Sequence, residues 1–159
     1  MDTIHVVGGV GVAPTEMAAY DAALAEGNLH NYNLVGVSSV IPAGATVRVV
    51  DSAPDLGPAG NRLTVVQGMA VVGPDSTAEE IAAVIGWATG PGPGLFYEAA
   101  GEEPAAVERA VDAGLDAGCA LREWSFTDRE TLVSRATPVD DAYTAVVVVA
   151  AYGESEPVL

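Results

Sequence analysis

The chain has 159 residues, half of them hydrophobic, and 22 acidic side chains against six basic ones give it a formal net charge of −16. That length suits one domain with a real core, and the charge excludes the basic footprint that nucleic acid requires. The longest unbroken apolar run, Ala145–Tyr152, is far short of the roughly 18–20 residues that span a bilayer, so neither a membrane nor a nucleic acid is expected as a partner.

All six bases are arginine and there is no lysine. An acidic surface spread over helices and loops suits a protein working at high salt, where screening tolerates self-repulsion. Greater stability in dilute buffer than in molar salt would remove that reading. The missing lysine restricts chemistry: neither a pyridoxal phosphate aldimine nor a Schiff base on the chain's own amine can form. If the chain handles amines through an imine, the carbonyl must be its own. Cys119 has no partner for an intramolecular disulfide and is expected as a small buried apolar residue. With only His5 and His30 beside it, no metal site assembles by spacing. The opening residues carry no secretory pattern, which makes the cytoplasm the expected location.

In chain order, Thr3–Gly8 reads as a strand, followed by a glycine-rich turn at Gly8-Gly9-Val10-Gly11. The turn fails the dinucleotide-binding fingerprint because Pro14 stands where the last glycine belongs. Pro14 instead suits the first position of a helix to about Glu26, with Gly27 past its end. Met17, Tyr20, Ala23 and Leu24 mark the apolar face of this helix and leave Asp21 beside it. Asn33–Pro42 contains Leu34, Val35, Val37, Val40 and Ile41, and predicts one buried strand that carries Ser38 and Ser39 near its centre. Thr46–Val50 predicts a short strand, 51–61 a surface loop, and Leu63–Val72 a further strand.

Ser76, with Glu79 three residues on, has the arrangement of a capping box, and Ile81, Val84, Ile85 and Ala88 then recur at helical spacing. A helix is therefore expected there. The glycine- and proline-rich 90–94 delivers the chain into an apolar strand, Leu95–Ala100, that carries one carboxylate, Glu98. Pro104 to about Ala117 predicts a third helix with Val107, Val111 and Leu115 inward and Glu108, Asp112 and Asp116 on a solvated face. Cys119–Thr127 and Leu132–Thr137 are expected as paired strands, Tyr143–Tyr152 as a central strand, and 154–159 as a fraying tail. Several strands alternating with three helices imply an α/β or α+β sandwich.

The pattern Asn33-Leu34-x-x-x-Ser38-Ser39-x-Ile41-Pro42, followed some sixty residues later by Gly94-Leu95-x-x-Glu98, resembles the pyruvoyl-dependent arginine decarboxylases. Tyr20-Asp21-Ala22-Ala23-Leu24 upstream and Arg122-x-Trp124 to Arg129 downstream extend the likeness over most of the chain. The glycine-rich approach to Glu98 and the acidic surface depart from the pattern without touching the chemistry.

The resemblance implies an α+β fold, a four-layer αββα sandwich in a single domain, and a precursor cut between Ser38 and Ser39 into chains 1–38 and 39–159. It implies a pyruvoyl cofactor made from Ser39, whose carbonyl forms a Schiff base with L-arginine and leads to agmatine and carbon dioxide. Glu98 is then the proton donor, and its apolar strand should raise its pKa. Asn33 orients the Ser38 or pyruvoyl carbonyl; its even spacing from Ser39 puts both on one face if the strand is regular. Asp21 faces the substrate guanidinium. Neither pyridoxal phosphate nor a metal is called for, and a homotrimer with sites between subunits is implied. The competing expectation is an uncleaved, non-catalytic oligomer of the same fold with a structural or small-ligand-binding role.

Overall fold

The computed structural model describes residues 2–159. Its first strand, β1 (Thr3–Ala13), runs straight through the glycines expected to turn. The reason is the helix packed over them, α1 (Glu16–Glu26). A side chain at Gly9 would strike the Ala23 carbonyl, and one at Gly11 would strike the backbone of Ala19 and Ala23. The glycines thus let strand and helix approach closely rather than reverse the chain. Pro14 lies just outside α1, which is capped by Thr15: its hydroxyl accepts the Ala18 N–H at 3.2 Å. The inward residues of α1 are Ala19, Ala23 and Leu24, whereas Met17 is exposed.

The predicted serine strand is two short strands. β2 (Asn33–Gly36) and β3 (Val40–Ile41) belong to different sheets, and most of the segment is exposed in the protomer rather than buried. Next come β4 (Thr46–Val49) and β5 (Arg62–Val72), separated by the expected loop.

The helix expected after Ser76 is instead a strand, β6 (Ile81–Thr89), buried over eight consecutive residues. The helical spacing of Ile81, Val84, Ile85 and Ala88 is real, but Ala82, Ala83, Gly86 and Trp87 between them are apolar too. A helix with no polar face has no place on a surface, whereas a strand between two layers needs apolar groups on both sides. Ser76 only closes a turn, its Oγ accepting the Ala78 N–H at 3.2 Å.

β7 (Gly94–Gly101) and α2 (Pro104–Ala120) follow as expected, with Val107, Val111 and Leu115 buried. α2 takes in Cys119, which is only partly buried, and the strand expected at 119–127 is the end of this helix and a loop. β8 (Asp128–Ala136) pairs with β6 and not with that segment. The last strand is β9 (Tyr143–Tyr152).

One sheet has the order β2-β5-β9-β1-β4 and the other β3-β7-β6-β8. Three separate apolar clusters show the layering. Val7, Ala23, Val65 and Val149 pack between α1 and the first sheet. Val6, Ile85, Phe96 and Val148 fill the space between the sheets. Val84, Leu95, Val111 and Leu115 join the second sheet to α2. The protein is therefore an α+β sandwich of four layers, α1, sheet, sheet, α2. Burying each such Val, Leu, Ile or Phe contributes about 1.5–3 kcal/mol.

The tail does not fray. Ser155 N–H donates to the Leu56 carbonyl, Arg62 and Glu156 exchange backbone hydrogen bonds at 2.8 and 2.9 Å, and their side chains pair at 2.9 Å. At the other end of the chain, the Thr3 carbonyl accepts the Gly153 N–H at 3.1 Å. No helix is long and apolar enough to cross a membrane among the described residues.

Candidate active site

The two serines sit where the chain leaves one sheet for the other. Val37 still donates its N–H to Val65 of β5, at 3.0 Å. Ser39 N–H then reaches back to the Val37 carbonyl at 3.3 Å, and Val40 N–H to the Ser38 carbonyl at 2.5 Å. These are two successive contacts between residues two apart, the spacing of a γ-turn. Past them β3 joins β7, with Val40 opposite Leu95, and Phe96 N–H donates to the Ser39 carbonyl at 2.7 Å. The Ser38–Ser39 peptide is thus held on a tight corner, pinned to both sheets.

Across that corner stands Glu98. β7 alternates, so Phe96 and Glu98 face the first sheet while Tyr97 faces α2, its ring against Gly114. Glu98 projects over Gly68 of β5, where an added Cβ would lie 3.4 Å from its own. The Ser39 hydroxyl donates to Glu98 Oε2 at 3.4 Å. Burial raises the Glu98 pKa above the ordinary carboxylate value, partly offset by the Ser39 hydroxyl and a backbone hydrogen bond.

Tyr152, in sequence no more than the end of an apolar strand, completes this corner. Its hydroxyl donates to the Val40 carbonyl at 2.9 Å, and its ring meets Phe96 edge-on, centroids 6.0 Å apart. Burial, then the Glu98 charge, pushes its pKa up to about 12. A signal was available: Tyr152 is a phenol closing a run of small apolar residues.

Asp21 and Asn33 lie elsewhere. Both line a cavity of about 580 Å³ bordered by His30 and Gln67, whereas Ser38 and Ser39 line another of about 370 Å³ with Leu95, Phe96 and Arg122. Asn33 Nδ2 donates to the Gly60 carbonyl at 2.7 Å. Its six-residue spacing from Ser39 does not put the two on one strand face, because the strand stops at Gly36. No group of three His, Cys, Asp or Glu residues that could hold a metal occurs among the described residues.

The corner sets a serine hydroxyl on a half-buried carboxyl, in a chain without the lysine that an internal pyridoxal phosphate aldimine needs. The family model described as pyruvoyl-dependent arginine decarboxylase matches residues 3–157. Proteins named pyruvoyl-dependent arginine decarboxylase from two strains of Halobacterium salinarum are 51% identical over 160 residues, covering 99% of this chain and 98% of theirs. A protein of that name from Thermococcus sibiricus is 31% identical over 141 residues, covering 85% of each. The chain belongs to the pyruvoyl-dependent arginine decarboxylase family, whose members are carboxy-lyases.

Proposed function

We propose that this chain cuts itself between Ser38 and Ser39 and, as chains 1–38 and 39–159, converts L-arginine to agmatine and carbon dioxide. The observation that carries the reading is the contact between Ser39 Oγ and Glu98 Oε2 at the pinned corner.

For the cut, Ser39 Oγ attacks the Ser38 carbonyl carbon and turns the amide into an ester. Negative charge develops on the Ser38 oxygen, the atom to which the Val40 N–H already points. Elimination and loss of ammonia then leave the pyruvoyl group at residue 39. The residues around that position fit such a group: Phe96 N–H holds the neighbouring carbonyl, and Leu95 and Phe96 set hydrocarbon beside it. When formed, the pyruvoyl carbonyl takes up the substrate amine and serves as electron sink for decarboxylation. Glu98 keeps its proton on a carboxyl that burial holds neutral at higher pH than usual, next to the carbon that must be reprotonated.

Asp21 is assigned to the substrate guanidinium and Asn33 to orienting the Ser38 or pyruvoyl carbonyl. Because both line a cavity separate from that of Ser39 in the protomer, a homotrimer with sites between subunits is the arrangement that brings them to Ser39. We place the enzyme in the cytoplasm. Intact mass spectrometry tests the reading. Two fragments are expected, the larger with a blocked, carbonyl-reactive N-terminus, together with agmatine formation from arginine. A single chain that stays whole on incubation overturns it in favour of a non-catalytic oligomer.

A further inference from the structure

The cavity that spans Ser38 and Ser39 contains one cation, Arg122. Its guanidinium carbon lies 5.3 Å from the centre of the Trp124 ring, and Nη1 donates to the Gly118 carbonyl at 2.9 Å. Arg62, Arg129 and Arg135 all pair with carboxylates. Arg122, like Arg48 and Arg109, has no carboxylate partner among the described residues, but it alone of the six arginines lines the serine cavity. An aromatic face and a helix carbonyl hold it beside a dipeptide that carries no charge.

The self-processing proposed above creates a charge at that place. In the ester, the Ser39 Cα loses a proton while the bond between Ser39 Cβ and Oγ breaks. The bonding pair leaves with Oγ, giving a carboxylate on Ser38 and a dehydroalanine at residue 39. Tautomerisation to an imine and addition of water then release ammonia and leave the pyruvoyl group. We propose that Arg122 receives the Ser38 carboxylate as it departs in this elimination and retains it as the C-terminus of the small chain. The inference rests on the self-processing reading. The substrate α-carboxylate is the poorer occupant, because a guanidinium on a group about to leave as carbon dioxide stabilises the ground state more than the transition state.

The test follows freshly made full-length precursor by intact mass spectrometry, with samples quenched with and without hydroxylamine, which opens esters but not amides. Elimination in Arg122→Gln is expected to slow by about 10- to 100-fold, the effect of removing a charge-assisted hydrogen bond. Its hydroxylamine samples should contain a 39–159 fragment beginning with intact serine. Arg122→Lys should fall between that variant and the wild type, and methylguanidinium should restore the rate of Arg122→Ala, which no loss of packing would allow. Circular dichroism melting identifies any variant that has not folded; Arg122→Lys, which keeps the charge and most of the stem, then decides by its own rate. Wild-type rates in folded variants with no ester overturn the role of Arg122 alone. A wild-type chain that never cleaves overturns the processing as well.

Discussion

The cavity around Asp21 and the cavity around Ser39 differ in chemical character. Around Asp21 the wall offers a carboxylate, an amide from Asn33, the imidazole of His30, and Gln67, whose Oε1 accepts the Tyr20 hydroxyl at 2.7 Å. Around Ser39 it is mostly hydrocarbon, with the serine hydroxyls and one guanidinium. The first suits recognition of a charged, hydrated side chain, which needs fixed partners more than dryness. The second suits bond making and breaking on a backbone carbonyl, where nearby hydrocarbon lowers the local dielectric and strengthens a donor aimed at the reacting atom. On the function proposed above, the two tasks are divided between the first sheet with its helix and the β3–β7 edge of the second.

That division predicts different failures from substitutions on the two sides. The largest effect is expected for Ser39→Ala, which should abolish both chain cleavage and carbon dioxide release; any agmatine from the intact variant would show that Ser39 is not the source of the carbonyl. Glu98→Gln comes next. It should still be cut, as seen by mass, while turnover of arginine falls by about 10²–10⁴-fold, the range for a lost general acid. Full turnover would remove Glu98 as proton donor.

On the other side, Asp21→Asn should leave cleavage intact and raise KM for arginine by about 10- to 100-fold with little change in kcat, since a lost charge-assisted pair weakens binding more than chemistry. A fall in kcat alone would mean that the cavities are not divided by task.

The smallest effect belongs to Tyr152→Phe, which gives up one hydrogen bond to Val40 and should cost about 1 kcal/mol in denaturant unfolding. The sign of its pH dependence is also set. The phenol's folded-state pKa is raised from 10.0 to about 12, so its contribution is complete below 10.0 and is lost as pH rises toward 12. The gap between wild type and Tyr152→Phe should therefore narrow over that window, and a widening gap would contradict the placement of the ring.

Strands and helices whose pattern had one meaning were legible in the sequence. Val107, Val111 and Leu115 marked α2, and the unbroken apolar run of β9 marked a central strand. β6 was not, because Ile81, Val84, Ile85 and Ala88 satisfy a helical repeat by accident of an all-apolar segment. Only the layer on each side of it decides the matter, and that layer is a long-range fact. The glycines of β1 misled for a related reason. A glycine may mark a turn or a close approach, and nothing local tells Gly11 under α1 from Gly44, whose φ of +85° does require glycine.

In the site, the pair Ser39 and Glu98 was legible through the resemblance, and the structure sets them in contact. The corner between Gly36 and Val40 was not. The apolar residues on both sides of the serines give no hint that they enter different sheets. Tyr152 and the Val40 N–H were missed because one looked like packing and the other carries no side-chain signal at all.

The hydrogen bond from Gly153 to Thr3 sets the start of β1 beside the end of β9. β1 lies between β9 and β4, so the segment ahead of Ser38 is stitched on both edges to strands that come after it. A break at the serine corner leaves every strand with its neighbours. The cleavage proposed there adds two chain ends at the corner and leaves the pairing within both sheets as it stands.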